Sequence, residues 1–194
     1  MIGALAAAAV SGCALMSPAE TEVTTAVLQK MPADLPHGQA RPVSVLVFSP
    51  EATPAYNTTK MAYAVRPYEV AYFSRHQWSE TPSQMLQPLL VRALQSTGYF
   101  SAVLTPPFAG SYTYALRTDI VELSQDFTSQ PPELRLSLRL RLTDDAGKKV
   151  VATREISLRE PMQQKTPYAG VVAANEATAK ALHEVARFVC DNAN

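Results

Sequence analysis

The chain has 194 residues, 47% of them hydrophobic, and 17 basic side chains balance 17 acidic ones. A formal charge of zero argues against nucleic acid or an anionic membrane surface as the main partner, and the composition is that of an ordinary folded chain about one domain long. Two cysteines allow at most one disulfide, and His37, His76 and His183 fall on a linker, an aromatic stretch and a helix, a spacing that predicts no shared site.

Residues 2–10, IGALAAAAV, form an uncharged apolar run too short to cross a bilayer as a helix. They lead into Val10-Ser11-Gly12-Cys13, and small residues immediately before a cysteine match the bacterial lipobox. A peptidase cuts before that cysteine, whose thiol and new amino group then carry acyl chains. Residues 1–12 therefore read as a lipoprotein signal peptide and Cys13 as the lipidation site. A secretory signal should open on lysine or arginine, yet Lys30 is the first basic residue, so the expectation is a true start further upstream. Each buried methylene adds roughly 0.8 kcal/mol, and several chains on one residue hold a protein firmly on a membrane. With Cys13 acylated, Cys190 has no partner in the chain and is expected to be buried among Val185, Phe188 and Val189.

Residues 13–42 read as the lipidated cysteine and a tether. Ser17 to Glu20 is polar, Val23 to Leu28 suits an extended segment, and Met31 to Pro42 carries three prolines and a glycine, with His37 in solvent. The folded domain is expected over residues 43–194. Val43 to Phe48 is a short apolar strand, and Ser49 to Thr59 is a loop. Residues 61–65 and 68–73 are apolar and aromatic runs parted by Arg66-Pro67, which predicts a hairpin. Thr81-Pro82-Ser83-Gln84 supplies a capping hydroxyl, a proline at the first helical position and a glutamine that reaches back to the cap. Met85, Leu86, Leu89, Leu90, Ala93 and Leu94 form one buried stripe of a helix ending at Gly98. Pro88, inside it, predicts a local kink or a shallow start. A strand returns to Leu104.

The remainder is mainly β until the last helix. Tyr112 to Leu123 alternates, and Glu133 to Leu142, ELRLSLRLRL, sets Leu134, Leu136, Leu138, Leu140 and Leu142 against Arg135, Ser137, Arg139 and Arg141. After a turn at residues 144–147, Val150 to Leu158 returns antiparallel. The arginine row is a solvated face with Glu155 and other carboxylates opposite rather than a phosphate site, because no glycine-rich run accompanies it. From Tyr168 to Asn192 an alanine-rich amphipathic helix can pack close to a sheet. The fold class is α+β: one domain, a mainly antiparallel sheet covered on one face by two main helices.

No G-x-S-x-G, H-E-x-x-H, paired C-x-x-C or Walker loop is present, and Arg75 and His76 beside Trp78 lack a nucleophile or carboxylate at a recognisable offset. The expectation is a protein without catalytic residues, cofactor or metal. The aromatic side chains Tyr63, Tyr68, Tyr72 and Trp78, with Phe73, are the candidates for partner or lipid contact, and at least half of them are expected to be core instead.

Cys13, the leading strand, the strand pair, Arg75-His76-Gln77-Trp78-Ser79-Glu80-Thr81-Pro82 opening the helix of Met85 to Leu94, and Gly98 to Val103 together resemble the ABC-type transport auxiliary lipoprotein family. The similarity extends through the long strands and the last helix. Tyr56-Asn57-Thr58-Thr59 departs from it, since members more often carry an acidic residue there, so no binding role is transferred to that loop. The resemblance implies a non-catalytic, lipid-anchored component on the periplasmic face of the envelope. It implies as partners an ABC permease and ATPase and an MCE-domain substrate-binding protein, which move phospholipid or other hydrophobic molecules between the two membranes. Ala14, where an aspartate would typically retain such a protein in the inner membrane, favours the outer membrane. Lipid contact and self-association into homo-oligomers are compatible with this picture. The rival reading is an outer-membrane assembly or pilot lipoprotein that chaperones a barrel or secretin.

Overall fold

The computed structural model describes residues 22–144 and 149–193, so Cys13, the apolar run before it and most of the turn after Asp144 lie outside the described residues. Two helices and nine strands form one α+β unit around a mixed, open sheet. Its spine is β7 (Tyr114–Asp126). On one edge β7 is hydrogen-bonded along its length to β8 (Glu133–Asp144), which pairs in turn with β9 (Lys149–Pro161), both antiparallel. On its other edge sit three short parallel strands in succession: β2 (Arg41–Val47) at Tyr114, β3 (Glu51–Ala52) at Asp119 and β4 (Lys60–Ala64) at Ser124. The sheet extends past β2 to β6 (Phe100–Leu104), and past β4 to β5 (Ala71–Trp78) and β1 (Thr24–Ala26). The long ladders are thus antiparallel, as expected, while β2, β3 and β4 run parallel to β7, β6 runs parallel to β2 and β5 runs antiparallel to β4.

The alternation of β8 is realised in full. All five of its leucines are 3% exposed or less and face the helices, while Arg139 and Arg141 are exposed. Arg139 stands opposite Glu155 in register at 3.9 Å, both ends solvated, a pair worth at most about 1 kcal/mol. On β7 the register shifts between Ile120 and Glu122, a bulge that changes which parity faces the core: Leu116, Thr118 and Ile120 before it, Leu123 and Gln125 after it.

Helix α1 (Pro82–Ser96) begins at the expected capping box, with Gln84 N–H donating to Thr81 Oγ1 and Thr81 N–H donating to Gln84 Oε1. It ends before Gly98, whose φ of 65° lies in the left-handed region that glycine enters without a Cβ penalty. The helix runs without interruption past Pro88. Pro88 and Gln84 both face solvent, so the Gln84 carbonyl that loses its helical donor can be hydrated. Helix α2 (Pro167–Asn192) is capped by Thr166, which accepts from Ala169 N–H, and lays Ala173, Ala174, Ala177, Ala181, Leu182, Val185 and Val189 on the leucine ladder. Cys190 is buried, and burial pushes its thiol pKa up.

Two expectations are corrected. The second strand of the hairpin spans 71–78 rather than 68–73, because Tyr68 adopts φ 67° and Arg66 to Val70 form a protruding tip. Residues from Thr24 onward are also part of the folded unit rather than tether. Thr24–Ala26 is an edge strand, Leu28 is 7% exposed, and Met31 and Leu35 pack against the core. The physical reason is that Leu28, Met31 and Leu35 recur among prolines and polar residues, so no periodic stripe betrays a segment that crosses the helices as an irregular strap.

Two contacts close the end of the sheet where α2 begins. A Cβ on Gly170 would stand 2.0 Å from Gln125 Cδ, so the first turns of α2 approach β7 only because residue 170 has no side chain. Asp126, 2% exposed, ends β7 with Oδ1 accepting from Thr128 N–H at 2.7 Å and Thr128 Oγ1 at 2.5 Å. Its Oδ2 accepts from Ser129 Oγ at 3.2 Å and pairs with Arg135. Desolvation pushes the Asp126 pKa up, but the Thr128 bonds, Arg135 and Ser129 outweigh it and hold the carboxyl below its ordinary range.

Gly170→Ala should destabilise the protein by about 1–3 kcal/mol in chemical denaturation, even though alanine is the better helix former by roughly 1 kcal/mol, because the buried Gln125 side chain must move. Asp126→Asn should cost about 1–2 kcal/mol at pH 7. The depressed carboxyl stabilises the fold fully above its unfolded pKa of about 3.9 and ceases to do so as pH falls through the lower folded value, so wild type and variant should converge in acid. Thermal unfolding curves from pH 7 to pH 3 check this, and a gap that stays constant would refute the role assigned to the carboxylate.

Candidate functional site

A concavity of about 790 Å³ lies between the β1 edge of the sheet and the N-terminal half of α2. β1 contributes Thr24, Thr25 and Ala26, followed by Val27, and Met61 and His76 come from β4 and β5. α2 supplies Tyr168, Val171 and Val172 on its outer flank. The groove persists because Asn175 clips the strap to α2: its Oδ1 accepts from Gln29 N–H at 2.9 Å and Lys30 N–H at 3.1 Å, and its Nδ2 donates to Val27 O at 3.0 Å. Lys30 also pairs with Glu176. One side chain thus satisfies three backbone groups that a strand-to-strap transition leaves unpaired.

The walls are chemically uneven. Val27, Tyr168 and Val172 are exposed at 42%, 73% and 45%, so the groove offers apolar surface that nothing in the described chain covers. Arg92 of α1 reaches the same concavity and has no side-chain partner among the described residues. Such a site suits an amphiphile, with an anionic group at Arg92 and hydrocarbon along Val27 and Val172. Among the described residues no cluster of three or more His, Cys, Asp or Glu could hold a metal ion. His76 lies edge-on to Phe73, ring centres 6.2 Å apart, rather than beside a nucleophile. No described helix is long and apolar enough to cross a membrane.

The aromatic candidates separate. Trp78 is 3% exposed and packs in the core, so the contact role considered for it is withdrawn; its position at the strand-to-helix junction is where side chains of both α1 and β1 converge. Tyr63 is half-buried and stacks on Phe73 at 4.3 Å between ring centres, with Phe127 edge-on to both. Tyr72 is partly exposed and donates to Ala55 O at 3.0 Å. Tyr68 is fully exposed at the hairpin tip. His183, on α2 beside the apolar stripe, is held by Asp34, with Nδ1 2.9 Å from the backbone O. Cys13 lies outside the described residues.

Sequence reasoning missed Asn175, Arg92 and the Val171-Val172 pair. The only available signal was that this valine pair exceeds the width of one buried helical stripe, which leaves Val172 on the wet side.

Comparisons bear on this geometry. The sequence model for the ABC-type transport auxiliary lipoprotein component matches residues 27–187. No curated protein matches the chain. Protein XCC0632 from Xanthomonas campestris, of the DUF330 family, superposes with a TM-score of 0.77 at 20% identity, covering 88% of this chain and 96% of its own. The hypothetical protein CT253 from Chlamydia trachomatis gives a TM-score of 0.52 at 10% identity, covering 79% and 100%. At these identities the structures show a shared fold. The family match, which starts at the strap and runs to the last turns of α2, carries the assignment: this chain belongs to the ABC-type transport auxiliary lipoprotein component family.

Proposed function

We propose that the protein is the non-catalytic, lipid-anchored auxiliary component of an envelope ABC-type transporter that moves phospholipid or other hydrophobic molecules between the inner and outer membranes. The observation that carries the reading is the groove beside α2, where apolar walls at Val27, Tyr168 and Val172 meet the guanidinium of Arg92, unpaired among the described residues. A site of that composition holds an amphiphile without transforming it. ATP is hydrolysed by another subunit; the partners are the permease and ATPase and an MCE-domain substrate-binding protein. Acyl chains on Cys13 hold the protein to the membrane, and Ala14 after it favours the outer membrane.

Affinity capture of the acylated protein from envelope membranes, with identification of co-eluting proteins and lipids, tests this. Permease, ATPase and MCE protein should be recovered together with phospholipid. Recovery of a secretin or barrel-assembly machinery instead would replace the reading with that of a pilot lipoprotein. Recovery of neither transporter subunits nor lipid would sink it.

Two variants sharpen the experiment. Cys13→Ser should lose its acyl chains and move to the soluble periplasmic fraction. Arg92→Glu combined with Val172→Asp should fold with wild-type stability, since both positions are exposed, yet lower co-eluting lipid by about tenfold, the loss expected when an ion pair and an apolar contact worth about 1.4 kcal/mol together are removed. Unchanged lipid recovery would remove the groove from the mechanism.

A further inference from the structure

Among the described residues most of the exposed large apolar side chains lie toward one end of the molecule, with Phe108, Val150 and Val151 elsewhere. Val65, Tyr68 and Val70 sit at the tip between β4 and β5, Val23 precedes β1, and Tyr168 and Val172 lie in the first turns of α2. The register puts these elements together. β4 runs parallel to β7 with Ala64 opposite Asp126, so the hairpin tip projects beyond the C-terminal end of β7. α2 starts at that same end, where Gln125 Nε2 donates to Pro167 O at 3.2 Å.

Tyr68 is the most informative of these residues. Its φ of 67° lies in the left-handed region, which is costly for a bulky side chain, and at that position glycine or asparagine would hold the same turn more easily. No interaction among the described residues compensates, because the side chain is fully exposed and has no hydrogen-bond or ring partner there. A strained backbone that presents an unsupported aromatic ring points to a contact outside the chain.

The direction of the backbone at β1 says what lies outside. β1 pairs parallel to β5, with Thr24 opposite His76 and Ala26 opposite Trp78. β5 starts at Ala71, immediately after the tip, so the chain enters β1 from the tip's side, and Thr24 stands about 17 Å along β5 from Ala71. Cys13 precedes Thr24 by eleven residues, a reach of at most about 36 Å. That reach exceeds the distance from Thr24 to the tip, and the chain enters β1 from the tip's side, so an anchor at Cys13 and the apolar tip can share one membrane surface.

We infer that the tip of the β4–β5 hairpin is a second membrane contact, in which Tyr68, Val65 and Val70 enter the headgroup region of the bilayer that holds the acyl chains of Cys13. The inference rests on the anchor proposed at Cys13. Tyrosine suits this depth, with an apolar ring and a hydroxyl that stays hydrated. Arg66 and Glu69 on the same tip pair at 3.4 Å and cancel, and the chain as a whole carries no net charge, so the contact is apolar insertion rather than attraction to anionic lipid. It need not be strong alone. The anchor fixes the domain at high effective concentration above the surface, and a weak contact then sets its orientation. The consequence is a domain held with one end on the membrane and the opposite end, where β8 gives way to β9, facing away.

The test uses the acylated protein in vesicles of phosphatidylethanolamine and phosphatidylglycerol at 3:1. Tyr68→Cys and, separately, Val65→Cys are labelled with a polarity-sensitive fluorophore; Cys190 is buried and Cys13 is blocked by its acyl chain, so the new thiol takes the label. Val150→Cys, exposed at the opposite end, is the control. Labels at 68 and 65 should shift to the blue and be quenched by bromine-labelled acyl chains at least threefold more than the label at 150, with no dependence on salt. If the protein floats with the vesicles but labels at 68 and 65 stay as open to aqueous iodide as the one at 150, the contact is refuted while the anchor stands. If the protein does not float at all, the anchor fails and the inference falls with it. A blue shift that appears only when solubilised inner-membrane proteins are added would overturn the lipid contact in favour of a protein partner.

Discussion

The structure depends on one strand. β7 is hydrogen-bonded on one edge to a single long partner and on the other to three short parallel strands, each delivered by a separate excursion of the chain. Strands that short, some of two to five residues, have no independent stability. They are ordered because β7 and β8 form a rigid two-stranded rail whose leucine face is sealed by α2. Fully burying each of those leucines contributes roughly 1.5–3 kcal/mol, and the alanine face of α2 lets the helix sit close enough for all five to be covered. Everything at the ends of the rail is positioned by it, including the hairpin tip beyond Asp126 and the groove beside β1.

Charge on this protein is arranged to stabilise at one place and to do little elsewhere. On the open sheet face Arg139 meets Glu155 in water, where such a pair contributes little. At the end of β7 the same residue type has another use: Arg135 bridges Glu133 and the buried Asp126, whose remaining oxygen valences are taken by Thr128 and Ser129. That clasp fixes the loop from β7 to β8 directly beneath the hairpin tip. A firm base under a strained, exposed turn keeps Tyr68 presented rather than folded back onto the sheet.

The groove and the tip are made by elements that meet only at the sheet edge. β1 comes from the N-terminal segment, Arg92 from α1, and Val172 and Asn175 from the middle of the chain's last helix. An apolar groove built this way has no compact motif, in contrast to a phosphate loop or a nucleophile elbow, because apolar contact and one cation impose no fixed spacing along the sequence.

The sequence by itself determined the elements whose chemistry is local. Period-two alternation defined β8, the Thr81 to Gln84 box defined the start of α1, Gly98 its end, and the alanine stripe the buried face of α2, because each follows from backbone geometry within a few residues. Cys13, the strand pair, Arg75 to Pro82 with the helix it opens, and Gly98 to Val103 together were enough to reach the family. Only the tertiary structure decided that four of the short strands run parallel to β7 or β2, that residues 27–35 form a strap and not a tether, and that Trp78 is core while Tyr68 is surface. Those outcomes turn on which edge of β7 each strand reaches and on contacts across more than a hundred residues, such as Asn175 with Gln29, and no local pattern encodes a partner that far away.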